Sequence, residues 1–258
     1  MLALALLTGA CLPETVDLAY SFEEGSTVAY RMTARADARW DVGGRGSGSY
    51  EVSFEIEETI TSVDDEGATL QVEMVPTETE EEGLPSPGLE RRTFSLRVGP
   101  SGEVLEALQL DGIEASALGQ DELAFIGTYR PALPREPVRL GDEWSDQRDI
   151  RFGTDIQAIE STGTLIGFAR EGDEELARIS FAGIGPLTWI TDLPQGEAQL
   201  TGDAETTGVA LFDIATGNLD EATSSTRGSF EVRVIPSTGL APITGTLDLD
   251  LELTVERV

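Results

Sequence analysis

Residues 247–252 read Leu-Asp-Leu-Asp-Leu-Glu, leucine and carboxylate in strict alternation. In an extended strand, successive side chains point to opposite faces. This run therefore puts Leu247, Leu249 and Leu251 on one side, and Asp248, Asp250 and Glu252 on the other. No helix sorts the residues that way. The same period returns in Val52, Phe54 and Ile56, and again in Leu70, Val72 and Met74. Alternation this clean means antiparallel sheet with one dry face and one wet face.

Glycine-centred turns punctuate the alternating runs. Asp64 to Gly67 joins Ile60–Val63 to Leu70–Val75, and Gly99 to Gly102 joins Phe94–Val98 to Val104–Leu108. Glu171 to Glu175 and Ile214 to Gly217 read the same way, as hairpin turns. Gly83 to Gly88 reads as a surface loop. Only Ile113 to Tyr129 lacks period two, and it is the helix candidate, with Gly119 splitting or bending it. Pro131, Pro134 and Pro137 then forbid both helix and ladder and predict an extended strap.

The two halves resemble each other. Leu96 to Ala107 lines up with Leu211 to Ala222, with Leu, Gly, Glu and Ala at matching positions and the turn glycines Gly102 and Gly217 in register. Thr59–Met74 likewise matches Thr164–Phe181 once a short insertion is allowed. Two halves that each carry one apolar face must pack together or curl into one shell. The expected fold is thus mostly β: an antiparallel curved sheet or open barrel built from two similar halves, with one short helical segment at mid-chain covering its concave face. One domain is expected over residues 20–258. Its halves span about 20–110 and 144–258, joined by the helix and strap at 111–143.

Charge narrows the partners. Forty-eight acidic residues oppose 17 basic ones, a net charge of −31. All the basic residues are Arg; Lys and His are absent. Nucleic-acid binding needs a basic patch that releases counterions, and none is present. An anionic lipid surface would also repel this domain. Membrane attachment must then come from a buried chain.

Met1 to Leu7 is an apolar run of signal-peptide character, too short to span a bilayer. It leads into Leu7-Thr8-Gly9-Ala10-Cys11, which resembles the lipobox of bacterial lipoproteins, although Thr8 stands where Leu is usual and no basic residue precedes the run. That resemblance implies cleavage after residue 10, a diacylglycerol on Cys11 and a tether over 11–19. Two or more acyl chains suffice for stable anchoring. The chain is then exported and lipid-anchored at a cell membrane or envelope, facing periplasm or exterior.

Recognisable catalytic parts are few. There is no His base, no Lys, no Gly-x-Ser-x-Gly elbow and one Cys, so nucleophilic catalysis and zinc lack their residues. Close carboxylate pairs are unavoidable among so many acids and carry little signal. Asp64, Asp65 and Glu66, and Asp173 to Glu175, offer oxygen ligands on turns but lack calcium-loop spacing. No cofactor, metal or catalytic residue is assigned, and no enzyme activity is expected. Trp40, Trp144, Trp189 and Phe125 are candidates to line a ligand cavity, or else to pack the core.

The segment Leu133 to Trp144 carries Leu133, Pro134, Pro137, Val138, Gly141, Asp142 and Trp144 at a spacing that resembles the signature of an uncharacterised bacterial lipoprotein family. The order of parts also fits that family, which brings no assigned activity. A fold-level analogy to periplasmic lipoprotein carriers and mycobacterial lipid-binding lipoproteins implies a curved sheet around an apolar cavity. Two functions follow as expectations. One is a lipid-anchored envelope protein holding a lipid or other apolar ligand in the curved sheet. The other is a structural or interaction lipoprotein with a solid core, its protein partner unspecified.

Overall fold

The computed structural model describes residues 15–83, 90–114, 129–152, 155–172, 174–193 and 196–258, without the side chains of a few strand residues in β7, β8 and β9. Twelve strands run in chain order: β1 (Thr27–Val42), β2 (Arg45–Val63), β3 (Ala68–Glu82), β4 (Arg92–Val98), β5 (Val104–Leu110), β6 (Ile113–Glu114), β7 (Glu143–Phe152), β8 (Asp155–Glu171), β9 (Glu174–Leu193), β10 (Gly196–Asp213), β11 (Asn218–Pro236) and β12 (Ile243–Arg257). They make one antiparallel sheet in the order β6-β5-β4-β3-β2-β1-β12-β11-β10-β9-β8-β7. The sheet is curved and open. Among the described residues, nothing pairs with the outer edge of β6 or β7, so the cup does not close.

Each half is a six-stranded meander, and the two meet where β1 pairs with β12. The hairpins matched in sequence, β4–β5 and β10–β11, sit six strands apart at equivalent places. Period two decides the register. Ala34, Ala36 and Ala38 of β1 face Leu253, Leu251 and Leu249 of β12 on the inside. On the outside, Arg31, Arg35 and Arg39 stand opposite Glu256, Glu252 and Asp248 of β12, and opposite Glu55, Glu51 and Ser47 of β2. Cross-strand pairs of opposite charge contribute roughly 0.2–1 kcal/mol each. The central seam is thus apolar within and charge-paired without.

Small residues line much of the concave side, where curvature crowds side chains. Aromatic rings lie on the glycines. A Cβ added to Gly46 would fall 2.5 Å from the Trp40 ring, one at Gly163 would fall 2.3 Å from Trp144, and one at Gly208 would fall 2.3 Å from Phe181. Phe230 covers Gly228 in the same manner.

One end of the cup is plugged by two extended segments. Val16, Leu18 and Tyr20 are buried, as are Tyr129, Leu133 and Val138 of the strap. Val16 and Val138 exchange two backbone hydrogen bonds, of 2.8 and 2.9 Å. The plug reaches both halves: the Tyr20 amide donates to Pro100 O in the β4–β5 turn, and the Ser21 amide to Gly217 O in the β10–β11 turn. Gly102 and Gly217 hold φ of 80° and 67°, and a side chain on either would run into Tyr20 or Ser21. The aligned glycines of the repeat therefore allow both close turning and close approach.

Two expectations change. Within the tether expected over 11–19, Val16 and Leu18 are buried in the packed plug, their apolar side chains spaced to fill the end of the cup, while residues 11–14 lie outside the described residues. At mid-chain, Ile113 and Glu114 form a short strand against Leu110 and Gln109, and Tyr129 lies in a turn. The rest of the expected helix, 115–128, and most of the Gly83–Gly88 loop lie outside the described residues. The strap behaves as its prolines dictate. It ends in a Gly141-Asp142 turn, where an Asp142 carboxylate oxygen accepts from the Arg139 amide at 2.8 Å.

Candidate functional site

The inner face has two regimes, visible along β12. Val255, beside the plug, is fully buried, whereas Leu247, Leu249, Leu251 and Leu253 nearer the mouth are only partly covered. Register extends this apolar stripe sideways. Leu251 lies between Ala36 and Thr226, and Leu249 between Ala38 and Gly228. Trp40 shares the face, next to Leu247, and is half-buried. Trp144 also faces inward, opposite Gly163, and its indole N–H donates to Ala132 O of the strap at 3.0 Å. Phe181 pairs with Gly208 between them. The cup thus brings Trp40 and Trp144 onto one concave surface while leaving them on different strands far around it. The backbone of Trp189 pairs with Leu200, and its side chain lies outside what the structure describes. Phe125 and Cys11 lie outside the described residues.

The plugged end holds a cluster that the sequence reading passed over. Glu58 follows Val52, Phe54 and Ile56 in the inward phase of β2 and is buried. Its two carboxylate oxygens accept from the Tyr129 hydroxyl and the Arg130 guanidinium. Arg130 lies over the rings of Tyr20 and Tyr129, 5.4 and 5.7 Å from their centroids. The two tyrosine rings thus add cation–π contacts to a guanidinium already paired with Glu58. Arg130 Nε is the one buried side-chain polar atom without a hydrogen-bond partner among the described residues. Extending the alternation of β2 by four residues, from Ile56 to Ile60, was the signal that would have put Glu58 inside.

Electrostatics follow from this packing. Burial is the largest influence on Arg130 and works against its charge, but Glu58, with smaller contributions from Tyr129, Tyr30 and Tyr20, together outweighs it and holds the guanidinium protonated more firmly than an ordinary arginine. Burial, then the negative charge of Glu58, pushes the Tyr129 hydroxyl well above the usual tyrosine range. Tyr30 is raised by the same two causes, and Tyr50 by burial. A cavity of about 10 Å³ lies between Tyr20, Tyr30, Glu58, Arg130 and Asn218. That is room for one water-sized molecule. With Glu58 occupied by two donors, the cluster is built to hold the strap, and nothing in its geometry presents a free base to a substrate.

No cluster of three or more Cys, Asp or Glu side chains among the described residues could hold a metal ion. Asp64, in the first acidic turn, accepts from the Glu66 and Gly67 amides and pairs with Arg97 at 2.6 Å. The β10–β11 turn is organised by buried Asp213, which accepts from the Ala215 and Thr216 amides and the Thr216 hydroxyl and pairs with Arg257 at 3.3 Å.

No family model matches the chain, and no curated protein matches it. Among solved structures, the chain is similar to DynF from the dynemicin biosynthesis pathway of Micromonospora chersina. The TM-score is 0.21 at 9% identity, over 94% of this chain and 85% of that one. Similarity this low carries no argument about function.

Proposed function

We propose that this chain is an exported, lipid-anchored protein of a bacterial cell envelope that binds a lipid or similar acyl-chain ligand against the inner face of its curved sheet. One observation carries the ligand: the leucine stripe of β12 is only partly covered on the concave side, while the same face at the plug is fully buried. A concave apolar wall with a few hydroxyls, here Thr206 and Thr226 hydrogen-bonded at 2.8 Å, is the usual make-up of a site for apolar ligands. The lipobox-like run before Cys11 supports the anchor. The absence of His and Lys, and the occupied oxygens of Glu58, support binding without catalysis.

Native mass spectrometry of the full chain purified from membranes tests the reading. The expected result is a mass adduct in the lipid range that is lost in a Leu249→Glu, Leu251→Glu variant. Those side chains are partly exposed, so the variant should stay folded. An unliganded spectrum, together with no saturable binding of a fluorescent fatty acid, would overturn it.

The solid plugged end gives the second reading its support. Packed down to a water-sized void, it suits a structural or interaction lipoprotein whose outer surface meets a partner. Under that reading no lipid adduct is found, and pull-down of the partner is unchanged in the stripe variant, because the stripe lies on the inner face.

A further inference from the structure

The open end of the cup is built differently from the plugged end. β1 leaves the plug at Thr27 and ends at Val42, and Val42 pairs with Gly245. The β1–β2 turn and the β11–β12 loop at 237–242 therefore meet at the mouth. A Cβ added to Gly43 would stand 3.7 Å from Ile243 Cγ2, so the two tips pack side by side. Apolar side chains are bare here. Leu240 is 70% exposed and Ile243 45%, and Ala241 and Pro242 between them are exposed as well. A single exposed leucine is ordinary on a protein surface. This one continues the inner wall. Ile243 is in phase with Leu247, Leu249 and Leu251, and the step between Ile243 and Leu247 is Gly245, flanked by Val42 and Val232. The leucine stripe thus runs from the interior to the rim and out onto the loop.

Charge selects the occupant. The chain has 48 acids in 258 residues, yet residues 232–247 contain none, and Arg233 is their one charged residue. The β1–β2 tip from Val42 to Tyr50 is also free of acids and carries Arg45, whose guanidinium meets Asp41 at 3.0 Å. Glu231 and Asp248, the first acids beyond the loop, each lie five residues from the strand ends Pro236 and Ile243. At about 3.3 Å per residue that is roughly 16 Å back from the rim. The acidic run Glu78 to Glu82 of β3 stops beside Gly83, which bridges to Ser49, likewise five residues short of Gly44. Such separations are about two Debye lengths at physiological salt, at ~8 Å each. On the neighbouring hairpin Glu197 stands beside Ile235, which confines the acid-free surface to the β1–β2 and β11–β12 tips.

We infer that the mouth rim docks on a phospholipid bilayer, with Leu240 and Ile243 entering the boundary between headgroups and acyl chains and Arg233 and Arg45 lying among the phosphates. Buried apolar area together with attraction to anionic headgroups is what holds a segment at a membrane interface. The same headgroups repel the acidic remainder of the domain, which keeps contact confined to the rim. The docking stands on the rim itself; it rests on the ligand reading above for the route alone. An acyl chain leaving the bilayer at Leu240 stays against apolar side chains through Ile243 and Val42 to Leu247 and Leu249, and so crosses no water on its way into the cup.

The test uses the full-length chain with Cys11→Ser, so that no acyl group can contribute, and vesicles of phosphatidylethanolamine and phosphatidylglycerol. The expected result is co-flotation at physiological salt that falls at least tenfold in the double variant Leu240→Glu, Ile243→Glu and several-fold in Arg233→Glu. All three positions are exposed, so circular dichroism should be unchanged. An environment-sensitive dye should shift to the blue with vesicles on Ala241→Cys at the rim, and should not respond on Asp65→Cys in the β2–β3 turn at the other end; both positions are exposed. No flotation, flotation untouched by the rim variants, or an equal dye response at both ends overturns the docking. Self-association that the double variant abolishes, in protein that does not float, overturns it too and assigns the rim to a second copy. Binding of a fluorescent fatty acid is measured in the same samples without vesicles. Saturable binding without flotation overturns the docking and leaves the ligand reading standing; flotation without fatty-acid binding overturns the route and leaves the docking standing.

Discussion

Glu58 and Arg130 form a buried ion pair across 72 residues of chain, one on the inner face of β2 and the other in the strap. Such a pair is state-dependent. Keeping both partners roughly balances desolvation, whereas losing one leaves a bare charge inside. Glu58→Gln should therefore destabilise the protein by about 3–5 kcal/mol. The double variant Glu58→Leu, Arg130→Met should recover most of that, helped by removal of the unpartnered Arg130 Nε. Urea unfolding measures both, as shifts in midpoint at unchanged slope.

Alkali should unfold the protein through its inner tyrosines. The hydroxyls of Tyr129 and Tyr30 are raised in the fold, by burial first and Glu58 second. A raised folded-state value means that the unfolded chain loses these protons first. The stability is fully present below the ordinary tyrosine value, about 10, and is lost as pH climbs from there towards the folded values. Phenolate absorbance of these two residues should rise together with loss of sheet circular dichroism, and Tyr129→Phe should soften the alkaline limb. Phenolate appearing while the sheet is intact would contradict the packing.

The rings on glycines predict an asymmetry along β8. Gly163→Ala drives a methyl into the Trp144 indole, whereas Gly167 has nothing within 4 Å of an added Cβ. Overpacking of this kind costs about 1–3 kcal/mol. Gly163→Ala should also red-shift tryptophan emission as the indole leaves Gly163 and its bond to Ala132 O, and Gly167→Ala should do neither.

Residues before β1 should matter as much as core strands. Leu18 is fully buried in the plug. Leu18→Ala should cost about 2–5 kcal/mol, the range for emptying a leucine site. Removal of residues 1–14 should leave the midpoint unchanged, and removal through Phe22 should lower it sharply. Equal thermal stability of the two truncations would show that the plug is dispensable.

Legibility in the sequence tracked locality. Alternation and turn glycines are local, so the registers of Val52, Phe54 and Ile56, the hairpin at Gly102 and its counterpart at Gly217 could be read from short windows. The strap was legible because proline acts through its own backbone. The plug was not. Val16, Leu18 and Tyr20 form no regular element, and their burial depends on Pro100, Val138 and Gly217, which lie far along the chain. Glu58 was half legible: its phase was readable, but its partners sit beyond two further hairpins, in the strap. At the edge of the Ile113–Tyr129 segment, Ile113 and Glu114 extend the sheet by pairing with Leu110 and Gln109, a contact no short window announces.

The meeting of β1 with β12 has a kinetic side. These neighbours are joined by some of the most distant contacts a chain of this length can make, such as Tyr30 with Arg257. A ribosome must make all twelve strands before the first can find its second partner. Until then two six-stranded half-sheets wait with their longest edges bare, which favours slow assembly and risks sticking to other copies. A chain wired this way gains from being kept unfolded until β12 has been made.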